Sequence, residues 1–182
     1  MKYLYPPAPA VAPLSFLSEA TDEWQMEPKK NGDRIQYDGQ TVYSRHGSAL
    51  SAGRGVAQVK VFLGFLPQGY TVEGEWVRSQ GTVWLFDLLE AETQPVYRLP
   101  LIERQNLLAQ LVLRLDNPHI RMIPIALDGF ASRYREWANL GDEGVVFKRR
   151  ASVYSGHPCR NIQTQDWLKR RFEWDKLLTR TL

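Results

Sequence analysis

Cysteine is nearly absent. Cys159 is the single one in 182 residues, so no internal disulfide can form and nothing calls for an oxidising compartment. A cytoplasmic location is the expectation. Histidine is scarce as well: His46, His119 and His157, with only Cys159 nearby, give no zinc-binding set. Long apolar runs are missing. The best candidates, Val59–Leu66 and Leu107–Leu115, contain Lys60, Gln110 or Arg114 and fall well short of the roughly 18 to 20 residues needed to cross a bilayer. No membrane partner is expected. The opening MKYLYPPAPAVAP pairs a lysine with small apolar residues, as a secretory signal does, but Pro6, Pro7, Pro9 and Pro13 spoil the helix such a signal requires. Residues 1–14 read as an extended, polyproline-like arm. Beyond that arm there is no repeat or low-complexity tract. The glycines of Ser51-Ala52-Gly53-Arg54-Gly55 lack the spacing of a phosphate-binding P-loop, so that stretch reads as an ordinary loop.

What remains is an ordinary globular composition. Hydrophobic residues make up 43% and charged residues 24%, which excludes disordered and fibrous classes, and the length suits one domain, residues 15–182. The net charge of +3 is mild but lopsided. Residues 148–182 carry nine Lys/Arg against three Asp/Glu, a net +6, leaving the first 147 residues at −3. A cationic end on a near-neutral body suits a polyanionic partner, nucleic acid or a nucleoside triphosphate.

Hydrophobic periodicity predicts an α+β fold of antiparallel β-sheets flanked by helices. Ile35, Tyr37 and Val42 around Asp38-Gly39 signal a hairpin, and Tyr70–Arg78 with Thr82–Leu89 around Ser79-Gln80-Gly81 form a second strand pair. Ala57–Phe65, rich in branched and aromatic residues, reads as another strand. Leu101 to Leu115 repeats at helical spacing and stops before Asp116-Asn117-Pro118. A second helix is expected over Asp128–Asn139, with Phe130, Tyr134 and Trp137 on one face, Asp128 as N-cap and Gly141 beyond its end. Strands return at Val145–Phe147 and Trp167–Phe172.

The sharpest local feature is Glu27-Pro28-Lys29-Lys30-Asn31-Gly32-Asp33-Arg34, which sets a lysine among other cations before a turn. Nearby positive charge and partial burial favour the unprotonated amine that a nucleophile requires. Alone, the spacing also fits a solvated turn. Its neighbours along the chain decide otherwise. Lys29-x-Asn31-Gly32-x-Arg34 resembles the KxDGxR nucleophile motif of the covalent nucleotidyltransferases, the superfamily of ATP-dependent DNA ligases, RNA ligases and mRNA capping enzymes. Five blocks follow in the family's order. Ser44-Arg45-His46-Gly47 is similar to SRxG, Val72-Glu73-Gly74-Glu75 to the DGE block and Phe86-Asp87-Leu88-Leu89 to FDxL. Glu143-Gly144-Val145-Val146-Phe147-Lys148 resembles EGxxxK, and Trp167-Leu168-Lys169-Arg170-Arg171 the closing WxKxK.

The resemblance implies the nucleotidyltransferase fold of a DNA ligase adenylation domain, and a mechanism in which Lys29 attacks the α-phosphorus of ATP to form a lysyl-adenylate. By similarity, Lys169 and Arg171 are catalytic cations at the phosphates, and Glu143 helps place a divalent metal, Mg²⁺ or Mn²⁺. Glu27 accepts a hydrogen bond from the adenine amino group, Arg34 and Glu75 hold the ribose, and Phe86 stacks on the base. Arg45 meets the 5′-phosphate of the strand being sealed, and Lys148, Arg149 and Arg150 are expected to grip nucleic acid. The partner so implied is nicked duplex DNA, bound by a monomer. An RNA ligase and a non-catalytic nucleic-acid-binding relic are the alternatives.

The chain departs from the family pattern in three ways. Asn31 replaces the usual aspartate, removing a charge beside Lys29, and some RNA-joining relatives share that loss. Arg171 replaces a lysine, keeping the charge but not the compact ammonium. Only 11 residues follow the closing block, so no OB-fold domain is expected in the chain, and a partner supplying that function is conceivable.

Overall fold

The computed structural model describes residues 3–50, 56–160 and 162–173. The loop expected at Ser51–Gly55 and the cations Lys176 and Arg180 of the closing segment lie outside the described residues.

Two sheets face one another. The smaller has four strands in the order β1, β10, β9, β2, formed by Ala8–Val11 (β1), Gln163–Arg171 (β10), Gly144–Arg149 (β9) and Trp24–Lys29 (β2). The larger follows the order β4, β3, β5, β6, β7, with β8 also pairing with β6. Its strands are Asp33–Tyr37 (β3), Val42–Ser44 (β4), Thr71–Val77 (β5), Thr82–Ala91 (β6), Gln94–Pro95 (β7) and Ile120–Met122 (β8). Pairing is antiparallel except where β1 meets β10 and β8 meets β6. The α+β architecture read from the sequence is the one observed.

Alternation along the strands builds the layers, because successive side chains in a strand point to opposite faces. In the smaller sheet Trp24, Met26, Val145, Phe147 and Leu168 face outward into a core closed by α1 (Phe16–Glu19) and by Phe130, Tyr134 and Trp137 of α4 (Phe130–Asn139). In the larger sheet Ile35, Tyr37, Val72, Trp76, Val83 and Leu85 pack against α2 (Val56–Leu63) and against Leu108 and Leu111 of α3 (Leu101–Leu115). Between the sheets, Phe86, Leu89, Ile123, Tyr154 and Trp167 form a third, smaller core. One ion pair locks this arrangement. Asp87 takes Arg104 of α3 at 2.7 and 2.9 Å with both side chains fully buried, while the same guanidinium donates to the carbonyls of Leu99 and Ser152.

Three expectations change. The strand foreseen at Ala57–Phe65 is helix α2: Val56, Val59, Phe62 and Leu63 recur at helical spacing and are buried, whereas Lys60 and Val61 point outward. Burial on one face outweighs the β-propensity of its valines. The residue before α4 is Gly129, in the left-handed region at φ 60°, so Asp128 does not cap the helix. The closing strand begins four residues earlier than expected, at Gln163.

The proline-rich arm is tied down at several points. Ala8–Val11 form β1, and the Ala12 amide donates to the Lys169 carbonyl at 2.9 Å. Tyr5 exchanges backbone hydrogen bonds with His157, and the Tyr3 hydroxyl donates to the Ser44 carbonyl at 2.9 Å. The arm thereby spans from the closing strand to the turn that carries Arg45.

Candidate active site

Strand register converges three of the blocks. In the smaller sheet Lys29 on β2 lies opposite Gly144 on β9, and Gly144 lies opposite Arg171 on β10. One row across three strands thus holds the nucleophile candidate, the glycine beside Glu143 and the last cation of the closing block. The next row is Glu27, Val146 and Lys169; the third is Gln25, Lys148 and Trp167. Because alternate residues share a face, the two-residue spacing from Glu27 to Lys29 and from Lys169 to Arg171 is what sends each pair to the same side of the sheet. Gly144 is required by the close approach of β10: a Cβ there would collide with the Arg170 carbonyl. Gly32 is hemmed in likewise by the backbone of Trp76.

These rows form one wall of a cavity of about 890 Å³ lined also by Arg34, Glu75 and Phe86 from the larger sheet, by Arg45 and His46 from the β4 turn, and by Pro6–Pro9 of the arm. Within it, Glu143 bridges two cations, pairing closely with the Lys29 ammonium and accepting from Arg171 Nη2 at 2.8 Å. The Glu143 amide donates to the Lys29 carbonyl at 2.8 Å, fixing both chain segments. Lys29 therefore has an acid as its nearest charged partner. Its sequence neighbours are neutralised elsewhere, Lys30 by Asp142 at 2.8 Å and Arg34 by Glu73 through two contacts of 2.8 and 3.2 Å. Asn31 is exposed and makes no side-chain hydrogen bond among the described residues, so the missing aspartate leaves no gap in the packing.

On the second wall, burial disfavours the Arg34 charge and the Glu73 carboxylate more than compensates, raising its pKa. The guanidinium lies 5.0 Å from the Phe86 ring. Glu75 accepts from the Gly32 amide at 3.2 Å, and burial lifts its pKa from 4.5 to about 7, against the opposing pull of Arg34 and Lys29. Burial also raises Tyr154, with Glu73 adding to the effect.

Glu27 is 3% exposed and held from both oxygens. Gln25 and Gln105 each donate to Oε1, at 2.9 and 2.7 Å, and the Lys148 ammonium lies 2.6 Å from Oε2. Lys148 was expected among the nucleic-acid-gripping cations. It is instead 2% exposed inside the cavity, with its Nζ 4.6 Å from the centre of the Phe86 ring and 4.3 Å from that of Trp167. Strand alternation puts it on the Glu27 face. Arg149 and Arg150 lie away from the cavity. The first packs over Trp24 and pairs with Glu23 and Asp166; the second donates to the Asp22 carbonyl. Among the described residues, Lys169 and Arg45 line the cavity without an ion-pair partner, which leaves them ready for an anion.

No family model matches this chain, and no curated protein matches it. Solved structures do. The ligase domain of LigD from M. tuberculosis superposes with a TM-score of 0.75 at 19% identity, over 92% of this chain and 59% of that one. The fold is that of an ATP-dependent DNA ligase catalytic domain. A mycobacterial DNA ligase D complexed with ATP gives a TM-score of 0.73 at 19% identity, covering 93% of this chain and 60% of that one. The adenylate of the Chlorella virus DNA ligase gives 0.64 at 15% identity, over 92% and 67%. The chain spans about three fifths of the length of the two LigD structures.

Sequence blocks marked Glu27, Lys29, Arg34, Glu75, Phe86, Glu143, Lys169, Arg171 and Arg45, and the structure gathers all nine around one cavity. Gln25, Glu73 and Gln105 went unmarked. Gln25 could have been found from alternation, two residues before Glu27. Gln105 lies on a helix 78 residues away from Glu27 and no local pattern points to it.

Proposed function

We propose that this domain is an ATP-dependent DNA ligase-type nucleotidyltransferase acting at nicks in duplex DNA. The observation that carries this reading is the row Lys29, Gly144, Arg171, which sets an amine against Glu143 in the wall of a cavity that Lys169 and Arg45 line without an ion-pair partner among the described residues, in a fold shared with DNA ligase domains. The deprotonated Lys29 amine attacks the α-phosphorus of ATP, the new N–P bond forming as the bond to pyrophosphate breaks. Lys169 and Arg171 neutralise charge developing on the phosphates, the contribution that dominates phosphoryl-type transfer. The adenylyl group then passes to a 5′-phosphate drawn in by Arg45, and a 3′-hydroxyl displaces AMP to seal the strand.

On the second wall, Phe86 offers a stacking face for the base and Arg34 with Glu75 a polar rim for the ribose, while Glu27 on the first wall offers an acceptor for the amino group of the base. Among the described residues no group of three or more His, Cys, Asp and Glu side chains could hold a metal alone. Glu143 suits Mg²⁺ all the same, because that ion takes one or two carboxylates and completes its shell with substrate phosphates and water. Bound there, it would supply further neutralisation of phosphate charge.

The test is incubation with α-labelled ATP and Mg²⁺. One covalent AMP per chain is expected, and none in Lys29→Ala. An adduct that survives the substitution would show that another residue is the nucleophile.

A further inference from the structure

Glu27 does not stand alone as a reader of the base, because its two oxygens are in different states. A carboxylate oxygen offers about two acceptor sites. Oε1 has both filled, by Gln25 Nε2 at 2.9 Å and Gln105 Nε2 at 2.7 Å. Among the described residues Oε2 accepts no hydrogen bond; the Lys148 ammonium lies 2.6 Å away as its ion-pair partner, without hydrogen-bond geometry. The acceptor capacity left on this cavity-lining side chain therefore belongs to Oε2 alone.

The carboxamides that fill Oε1 are themselves fixed. Gln105 Nε2 spends its second hydrogen on the Phe86 carbonyl at 3.3 Å, and Gln105 Oε1 accepts from Gln25 Nε2 at 2.7 Å. Turning the Gln105 amide over would set its oxygen against two acceptors and its NH₂ against a donor. All three side chains are 3% exposed or less, so water cannot repair such a mismatch, and unmet buried polar groups are costly. The triangle thus has a single arrangement. It also joins β2, which carries the nucleophile candidate, to α3 and to the backbone of Phe86, the residue placed to stack on the base.

We propose that Gln105, assisted by Gln25, is the positioning residue for purine selection: by saturating Glu27 Oε1 it leaves Oε2 as the one acceptor presented to a 6-amino purine. This rests on the ATP-dependent reading above and deepens it, since selectivity then resides in a relay from a helix outside the sequence blocks. With Gln105 apolar, Oε1 keeps a vacant site, the carboxylate loses its fixed rotation, and the amino group no longer meets a preset acceptor.

The experiment uses the full chain, with ATP and purine riboside triphosphate, which lacks only the 6-amino group, as probes. Equilibrium binding of each is measured by calorimetry for the wild type, Gln105→Met and Gln25→Met, with covalent labelling recorded separately and thermal unfolding confirming that each variant is folded. The wild type is expected to bind ATP at least about tenfold tighter than the deaminated analogue, the value of one well-placed hydrogen bond. In Gln105→Met the ratio should fall to within about threefold of unity, while affinity for the deaminated analogue stays put. Gln25→Met should show the same effect, smaller. Equal weakening of both nucleotides would mean that Gln105 merely supports the fold, and an unchanged ratio, or a wild type without selectivity, would overturn the proposal as well. Selective binding without labelling would preserve this inference while sinking the Lys29 chemistry. Absence of all nucleotide binding sinks both.

Discussion

The two walls of the cavity are built on one plan and carry opposite contents. In the smaller sheet the cavity face presents Lys29, Lys148, Lys169 and Arg171, with Glu27 as the one carboxylate among them, in rows set by strand register. In the larger sheet it presents Arg34, Glu75 and Phe86, with Arg34 held by the buried Glu73. A surplus of positive charge suits phosphates, and an aromatic ring with carboxylates suits a nucleoside. The contrast teaches that alternation alone decides which residues share a face, while the charge placed on that face decides which part of a nucleotide it meets. Within the cationic wall a second contrast appears: Lys148 is spent on Glu27 inside the protein, whereas Lys169 has no ion-pair partner among the described residues.

That contrast can be broken most sharply at Lys29. Lys29→Arg keeps the charge and the pairing with Glu143 but removes the nucleophilic amine, so labelling by α-labelled ATP should vanish with little change in thermal unfolding.

Lys148 and Lys169 sharpen it next, because they should fail in opposite ways. Lys148→Met leaves the buried Glu27 carboxylate without its counter-charge and should cost about 3 to 5 kcal/mol of stability, read from chemical denaturation. Lys169→Met should leave stability within about 0.5 kcal/mol and slow adenylation about 100-fold, the scale of losing one charged contact to the reacting phosphate. Equal destabilisation by both would erase the distinction between a structural and a functional lysine.

The nucleoside wall has its own signature in pH. Burial raises Glu75 from 4.5 to about 7, so the folded state holds this proton more tightly than the unfolded state. Its contribution to stability is full below about pH 4.5 and lost as pH rises through 7. The difference between wild type and Glu75→Gln, followed by denaturation over that window, should therefore move on the order of 2 kcal/mol against the wild type as pH increases, a figure reduced for the partial exposure of this side chain. A flat difference would return Glu75 to an ordinary carboxylate.

Arg45 is expected to give the smallest change. It stands exposed at the cavity mouth, so Arg45→Ala should leave lysine adenylation intact and slow transfer to a nicked duplex about tenfold. The log–log salt slope of DNA binding should shrink by about 0.9, one phosphate contact. A matching loss in both steps would place Arg45 at the nucleotide instead.

Much of this was written in the sequence. Two-residue spacing in Glu27-x-Lys29 and Lys169-x-Arg171, the turn glycines and the helical repeat of α3 follow from backbone periodicities that any strand or helix must obey, and they mark nine residues that now surround one cavity. Local signals misled where burial overruled propensity, as in α2, and where a cation turned inward, as with Lys148. Only the tertiary structure decided the pairings. Glu73 rather than Glu75 holds Arg34, Asp87 locks Arg104, and Gln105 reaches across 78 residues to Glu27. Such partners are chosen by the register of strands and the docking of a helix, which depend on how whole layers pack, and a short motif carries no record of the element that will face it.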